Sequence, residues 1–337
     1  MTVELAEEMR RIGWECDLLC PSDLRSYLTS HAADYDVVDY DHACLPYPRG
    51  GFSRKSLFVA RSVLLAHHLE TIAIPQPQSV KVRIGGLVRQ RARHQRDMIC
   101  KAQITVEQAN LVNVSNGDDK AELIRRGIAG DKIVVLPYGI SRDRRVLFDL
   151  VPSEAPAHPI IAFVGTFDYR KGANEFPALV ESIVRSVPNA QFRLLGTAGL
   201  FQTAAEVLAH FPVALRQKIE IIPKFHSDDL PALLASCSVG VFPSYMEGMP
   251  FGVLEMLAAS VPVIAYDAPG LPMLLPTNYL VPRGSVQTMV QRVTTLLWDH
   301  SKLSEARRWA KQRSQQFSWV TIAQETDAIY RERLLRL

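Results

Sequence analysis

The sequence predicts an α/β protein built as two doubly wound domains. Three observations carry this. The chain has 337 residues, more than one ordinary compact core holds and about right for two domains of similar size. Strand-like apolar runs alternate with helix-period segments along nearly its whole length, the pattern of β/α units around a parallel sheet. Between Leu150 and Pro159 the stretch LVPSEAPAHP interrupts the alternation with prolines and no apolar periodicity, as an interdomain linker does. The division that follows is 1–150, 151–312 and a helical closing segment, 313–337.

In order along the first half, MTVELAEEMRRIGW places Val3, Leu5, Ala6, Met9 and Ile12 at helical spacing, and Gly13 follows where a helix stops. ECDLLC and DYDVVDY read as short strands; SLFVARSVLLAHHL is an apolar run compatible with a buried strand or a helix. A basic stretch follows, helical from Leu87 onward, and then the strands ANLVNVS and KIVVLPYG with the helix DDKAELIRRGI between them. A doubly wound unit normally opens with a strand and a glycine-rich turn before its first helix; the sequence as given begins inside that helix, so the first domain is expected to lack its opening strand.

After the linker the alternation restarts. Strands are predicted at PIIAFVG, AQFRLLG, IEIIP, VGVFPS and VPVIAYD, and helices at FPALVESIVRSV, AAEVLAHF, LPALLASC, from about Phe251, and at VQTMVQRVTTLLWD. The segment from Ser304 to Leu337 reads as helix anchored by Trp309, Phe317, Trp319, Ile322 and Tyr330.

Composition limits the function classes. Hydrophobic residues make up 47% and charged residues 22% of the chain, values of a globular protein with substantial cores. A formal charge of +3 gives no reason to expect nucleic-acid binding by the whole chain. The cysteines Cys16, Cys20, Cys44, Cys100 and Cys237 are odd in number and unpaired in spacing, and are expected as buried thiols in a reducing compartment. No apolar run approaches the roughly 18–20 residues that span a bilayer, and no signal-peptide pattern opens the chain. The expected location is cytoplasmic, at most on a membrane surface.

The chemistry concentrates in VFPSYMEGMPFGVLEMLAASVPVIAYDAPG, Val241 to Gly270: a buried strand, a loop with Glu247 and Gly248, a helix starting near Phe251 and another buried strand. A helix N-terminus at the C-terminal edge of a parallel sheet is an anion site, since free N–H groups and the helix dipole point at the ligand. Gly248 lets backbone approach that ligand, Glu247 lies beside it, and Glu255, a turn into the helix, reaches its far end.

EGMPFGVLE resembles the E-x7-E signature of glycosyltransferase family 4, retaining enzymes of the GT-B fold, whose two Rossmann-like domains face a cleft. The flanking VFPS and PVIAYDAPG resemble the family in order and spacing. The resemblance implies that Glu247 holds hydroxyls of a donor sugar, that the backbone of Gly248, Met249, Pro250 and Phe251 holds sugar and phosphates, and that Glu255 holds the ribose of the nucleotide. FVGTFDYRKG, Phe163 to Gly172, is physically a strand, a glycine turn at Gly165 and a cationic pair suited to a departing diphosphate. It resembles the family's G-R-x-x-x-x-K-G segment: Lys171 matches the lysine and Thr166 stands where the arginine is expected, so that either Arg170 compensates or the clamp is weaker. LLGTAG, FHSDDLPALLASCSVGVFPS, VSNGDDKAELIRRGIAGDKIVVLPYGI and the C-terminal FSWVTIAQ extend the resemblance from about Val112 onward, the last as a helix that crosses back onto the first domain.

The family also places a histidine after a first-domain strand against the donor sugar; His67 and His68 are the candidates, against the plain alternative of a partly buried imidazole. DYDVVDYDH contains Asp34/Asp36 and Asp39/Asp41 at Asp-x-Asp spacing, the metal motif of a different glycosyltransferase fold, but the donor motifs lie elsewhere, so no metal site is expected; Asp41 and His42 remain acceptor-side candidates. The basic residues from Lys81 to Lys101 read as a solvated helix face or as a patch for anionic lipid or a phosphate-bearing acceptor.

The resemblance implies transfer of a sugar from a nucleoside-diphosphate sugar to an acceptor with retention, Lys171, Glu247 and His68 acting at the reacting centre, and no cofactor beyond the donor itself. The alternative is a GT-B-fold binding or regulatory subunit without activity, favoured by the absent opening strand and by Thr166. A sugar-nucleotide epimerase or a phosphorylase accounts less well for EGMPFGVLE.

Overall fold

The computed structural model describes the backbone at residues 2–20, 24–43, 52, 55–75 and 85–337, and side chains over the same residues except 2 and 85–92. In chain order the helices and strands are α1 (Thr2–Arg11), α2 (Leu24–His31), β1 (Val37–Asp41), β2 (Leu57–Ser62), α3 (His68–Thr71), α4 (Gly85–Gln108), β3 (Leu111–Val114), α5 (Gly117–Arg125), β4 (Ile133–Val135), α6 (Arg142–Asp149), β5 (Ile160–Val164), α7 (Phe176–Ser186), β6 (Gln191–Leu195), α8 (Ala204–Leu208), β7 (Ile219–Ile222), α9 (Leu230–Leu234), β8 (Val239–Phe242), α10 (Phe251–Ala258), β9 (Val263–Tyr266), β10 (Leu280–Val281), α11 (Val286–Trp298), α12 (His300–Ser314) and α13 (Trp319–Leu334). They form two compact units: Met1–Ala73 with Ser79–Ser141 and Ser318–Leu337, and Ile74–Gln78 with Arg142–Phe317.

The first unit holds a parallel sheet in the order β1-β2-β3-β4. Because side chains alternate along a strand, Phe58 and Ala60 of β2 face a core shared with Val106 of α4 and Leu123 of α5, while Arg61 faces the other way. Its guanidinium pairs with Asp39 of β1 at 2.6 Å, and Tyr330 of α13 donates to the same carboxylate at 2.7 Å. This buried network pins α13 to the sheet, so Asp39 serves packing. Gly139 is needed where α13 begins, since a Cβ there would lie 2.6 Å from the backbone nitrogen of Trp319.

Several expectations change here. Glu15–Cys20 is not a strand: no described strand pairs with it, and Leu18 and Leu19 are exposed. The run from Ser56 resolves into β2, a turn and the short α3. Of the described cysteines only Cys237 is buried, its thiol pushed up to about 11 by burial; Cys20 and Cys100 are exposed and Cys16 half-buried, because one segment forms no strand and α4 turns Cys100 outward. Cys44 lies outside the described residues.

The second unit holds a six-stranded parallel sheet, β10-β9-β8-β5-β6-β7. From β5 the chain runs outward through β6 and β7, then returns to pair β8 against the other side of β5 and continues to β9 and β10. Right-handed crossovers in opposite directions put α7 and α10 on opposite faces; α7 packs on α11 and α10 on α12. Phe163, Phe176 and Phe242 meet in the core, Phe163 lying 4.9 Å from Phe176 and 5.8 Å from Phe242 by ring centroid.

The chain enters this unit at Arg142, ahead of the proline-rich stretch, because α6 is held within it. Arg145 donates to Ser314 and to the Phe317 carbonyl, and Lys311 to the Phe148 carbonyl. The stretch itself is irregular, and buried Arg307 holds it, donating to the carbonyls of Pro152, Ser153 and Cys237. The closing helix is broken between Ser314 and Trp319, where the chain returns to the first unit.

Candidate active site

In the second sheet the connections leave β5 and β8 in opposite directions. Adjacent strands with diverging connections open a crevice at their carboxyl ends, the usual ligand position in such sheets. Two loops meet there, 165–172 after β5 and 243–250 after β8. The Tyr245 amide donates to the Arg170 carbonyl at 2.9 Å. Gly172, at φ +85°, is required because a Cβ there would stand 2.5 Å from the Pro243 carbonyl oxygen. Gly252 lets the first turn of α10 rest on the end of β5, where a Cβ would come within 2.1 Å of the Val164 carbonyl oxygen.

Glu247 is the centre of this arrangement. Its Oε1 accepts from Ser244 Oγ at 2.6 Å, Lys171 Nζ at 2.8 Å and Arg170 Nη1 at 3.0 Å; among the described residues none donates to Oε2. Burial works to raise the carboxyl's pKa, but Lys171 and then Arg170 outweigh it and hold the group below its ordinary value. Glu247 is therefore an anion with one oxygen engaged by three donors and the other without a described donor. Lys171 Nζ also lies over the Phe242 ring, 4.9 Å from its centroid, and an ammonium retains further donors for an anion.

The rest of the loop follows from its surroundings. Glu247 N donates to the Pro269 carbonyl at 3.2 Å, and Gly270, at φ +82°, lets the turn after β9 back directly onto Gly248. Met249 is buried. Pro250 is the N-cap of α10, with no side-chain cap hydrogen bond and no acidic residue in the first turn, so the positive end of the helix dipole faces the loop of Glu247. Glu255, one turn on, pairs through Oε1 with Arg144 Nη2 of α6 at 2.8 Å. Here burial exceeds the effect of the one cation and the pKa is raised.

Of the residues singled out in the sequence, Gly165, Arg170, Lys171, Glu247, Gly248, Met249, Pro250 and Phe251 are brought together at these two loops. Thr166 donates through Oγ1 to Asp168 at 2.8 Å, and Asp168 accepts from the Lys171 amide at 3.0 Å, so Thr166 shapes the turn carrying Lys171 instead of supplying a cation. Ser244 and Arg144 are additions. VFPS was informative as a strand end, but nothing in its spacing marked the serine; Arg144 sits in a charged segment that gave no helix period.

His67 and His68 lie in the first unit. His68 Nε2 is 2.8 Å from Asp119 Oδ1, and His67 Nε2 is 3.1 Å from Gln103 Oε1. His67 is fully buried, and burial followed by Arg126 lowers its pKa to about 4, which keeps the ring neutral. His42 is buried and its Nε2 accepts from the Ala66 amide. Asp41 accepts from the Ala43 amide. Among the described residues no three His, Cys, Asp or Glu side chains converge as a metal site. Arg93, Arg96 and Lys101 are exposed on α4, whose Ile99 and Ala102 pack with Ala66; Lys81 and Arg83 lie outside the described residues. No described helix is long and apolar enough to cross a membrane.

Residues 158–299 match the family described as Glycosyl transferases group 1, a match lying wholly within the second unit. The chain is similar to a D-inositol 3-phosphate glycosyltransferase of Corynebacterium aurimucosum, 25% identical over 69% of this chain and 59% of that protein. It is similar also to an alpha-maltose-1-phosphate synthase of Mycolicibacterium smegmatis, 29% identical over 64% and 57%. In both, the matched part is less than two thirds of the relative's length. Among solved structures, a sucrose-phosphate synthase of Thermosynechococcus elongatus has a TM-score of 0.71 at 20% identity, covering 100% of this chain and 93% of that one. Anabaena HepE in complex with UDP has 0.67 at 17%, covering 91% and 81%. These likenesses establish the fold: two parallel-sheet α/β units of the GT-B class.

Proposed function

We propose that the chain is the body of a retaining glycosyltransferase that takes a sugar from a nucleoside-diphosphate sugar and transfers it to an acceptor hydroxyl without a metal ion. The observation that carries this is the convergence of Lys171, Arg170 and Ser244 on one oxygen of buried Glu247, beside the start of α10. That arrangement matches a ligand with hydroxyls at one end and a diphosphate next to them. The free oxygen of Glu247 accepts from sugar hydroxyls. Lys171, Arg170 and the amides at the start of α10 stabilise the diphosphate as it takes up charge, and Glu255 accepts from the ribose. The group 1 match, the names of the similar glycosyltransferases and the UDP bound by the Anabaena structure support the same reading.

In the reaction the bond between the anomeric carbon and the diphosphate oxygen breaks, and the acceptor oxygen bonds to that carbon on the same face. The acceptor proton passes to the departing phosphate. Front-face attack follows from the resemblance to the family; Asp168, the other carboxylate of these loops, is engaged by the Thr166 hydroxyl and the Lys171 amide. His68, held by Asp119, is the proposed first-unit contact with the sugar, and His67 its alternative.

The test is turnover of UDP-, GDP- and ADP-sugars, with the anomer of the released or transferred sugar read by proton NMR before mutarotation. Release of the α-anomer from an α-linked donor, unchanged by chelator, is the expected result. The β-anomer would overturn retention, and binding without turnover in the presence of varied acceptors would favour the non-catalytic subunit.

A further inference from the structure

The two glutamates of the site share one feature: each has a single oxygen held by cations and the other without a described donor. For Glu255 the holder is Arg144, which none of the sequence motifs contained. Its Nη2 lies 2.8 Å from Glu255 Oε1 and 3.4 Å from the Ser227 carbonyl, and its guanidinium sits over the Phe148 ring, 5.5 Å from the centroid. The side chain is presented by a fixed helix. Buried Phe148 anchors α6 from within, Arg145 ties it to Ser314 and Phe317, and Lys311 pairs with Asp149 at 3.0 Å.

An exposed ion pair at a helix surface contributes little, but this one joins two partly buried side chains, and Arg144 Nε is buried with no hydrogen-bond partner. The arrangement holds Glu255 Oε1, and among the described residues no donor reaches Oε2.

We infer that Arg144 is a positioning residue of the nucleotide end, which by holding Glu255 Oε1 directs Oε2 to accept from the ribose 2′- and 3′-hydroxyls of the bound nucleotide. This rests on the donor-site reading above. Arg144 acts through Glu255 and needs no contact with the nucleotide, so its effect is confined to ligands that carry the ribose diol. A diol shared with a fixed carboxylate oxygen binds better than one shared with a mobile carboxylate, because the ordering is already in place.

The experiment is calorimetry on the full chain. It uses whichever of UDP, GDP and ADP the wild type binds most tightly, and its 2′,3′-dideoxy counterpart. Variants are Arg144→Ala, Arg144→Lys and Glu255→Gln. Wild type is expected to prefer the ribonucleotide at least tenfold. Arg144→Ala and Glu255→Gln should each bring that ratio to within about twofold of unity with little change for the dideoxy ligand, and Arg144→Lys should restore part of it. Because the dideoxy ligand reports general damage, an equal loss for both ligands in Arg144→Ala overturns the inference in favour of a phosphate contact or a packing role. An unchanged ratio overturns it outright. If wild type binds none of the three nucleotides, the donor-site reading itself fails; if wild type and Glu255→Gln behave as expected and Arg144→Ala keeps its preference, only the role of Arg144 fails.

Discussion

The two sheets differ in the order of their strands, and that difference locates the chemistry. In the first unit the four strands are laid down in sequence, β1 to β4, always stepping the same way, so no pair of neighbours has diverging connections. In the second unit β5 has β8 on one side and β6 on the other. The loops after β5 and β8 therefore part company, and the crevice between them is where Lys171, Arg170, Ser244 and Glu247 converge. In the first unit Asp39 and Arg61 bind α13, and Asp119 holds His68. In the second, Glu247 and Glu255 flank the crevice, each with one oxygen held by cations.

Predictions follow from this contrast. Glu247→Ala has the largest expected effect, about a thousandfold loss of turnover, because it removes the carboxylate proposed to accept from the sugar hydroxyls and leaves two cations unpaired. Lys171→Ala should lower turnover about a hundredfold, as removal of one charge-stabilising donor does; initial rates with a saturating donor check both. The matching perturbation in the first unit is Gly139→Ala, whose Cβ meets the backbone of α13. It should cost about 1–3 kcal/mol of stability in a denaturant titration while donor affinity of the folded protein stays within twofold. A comparable loss of donor affinity would break the contrast.

The opposite shifts of the two glutamates give a pH prediction. Glu255 is raised because burial exceeds the pull of Arg144, and Glu247 is lowered because Lys171 and Arg170 exceed burial. Both must be ionised to accept from the donor. As pH falls, Glu255 takes its proton first, above the ordinary glutamate range, and Glu247 last, below it. Affinity for a nucleoside-diphosphate sugar, whose phosphates stay ionised, should therefore weaken on an acid limb approaching tenfold per pH unit, and Glu255→Gln should flatten that limb. Smallest of all is Thr166→Val: losing the bond to Asp168 costs about 1 kcal/mol, so turnover should fall less than tenfold.

The start of α10 at Phe251 was legible because its signals are local: a glycine, a proline and then a run of apolar helix formers. The loop of Lys171 was legible as a strand, a glycine turn and a cation pair, although the spacing could not show that Arg170 and Lys171 meet on one oxygen of a residue more than seventy positions away. Glu15–Cys20 misled because strand formation depends on a pairing neighbour more than on apolar alternation. The helix α6 escaped because SRDRRVLFD has too few apolar positions to show a period, with Phe148 buried but Val146 exposed; Ser141 before it was the usable N-terminal signal. Missing α6 also displaced the expected domain boundary and concealed Arg144.

The most direct test of the central claim, that a nucleotide-sugar donor is held where the second sheet reverses, is calorimetric titration of UDP-, GDP- and ADP-hexoses into the wild type and Glu247→Ala. The account predicts saturable one-to-one binding of one donor type by the wild type and its loss in the variant, with both proteins folded by circular dichroism. Equal binding by both proteins, or no binding of any donor by folded wild type, would contradict it.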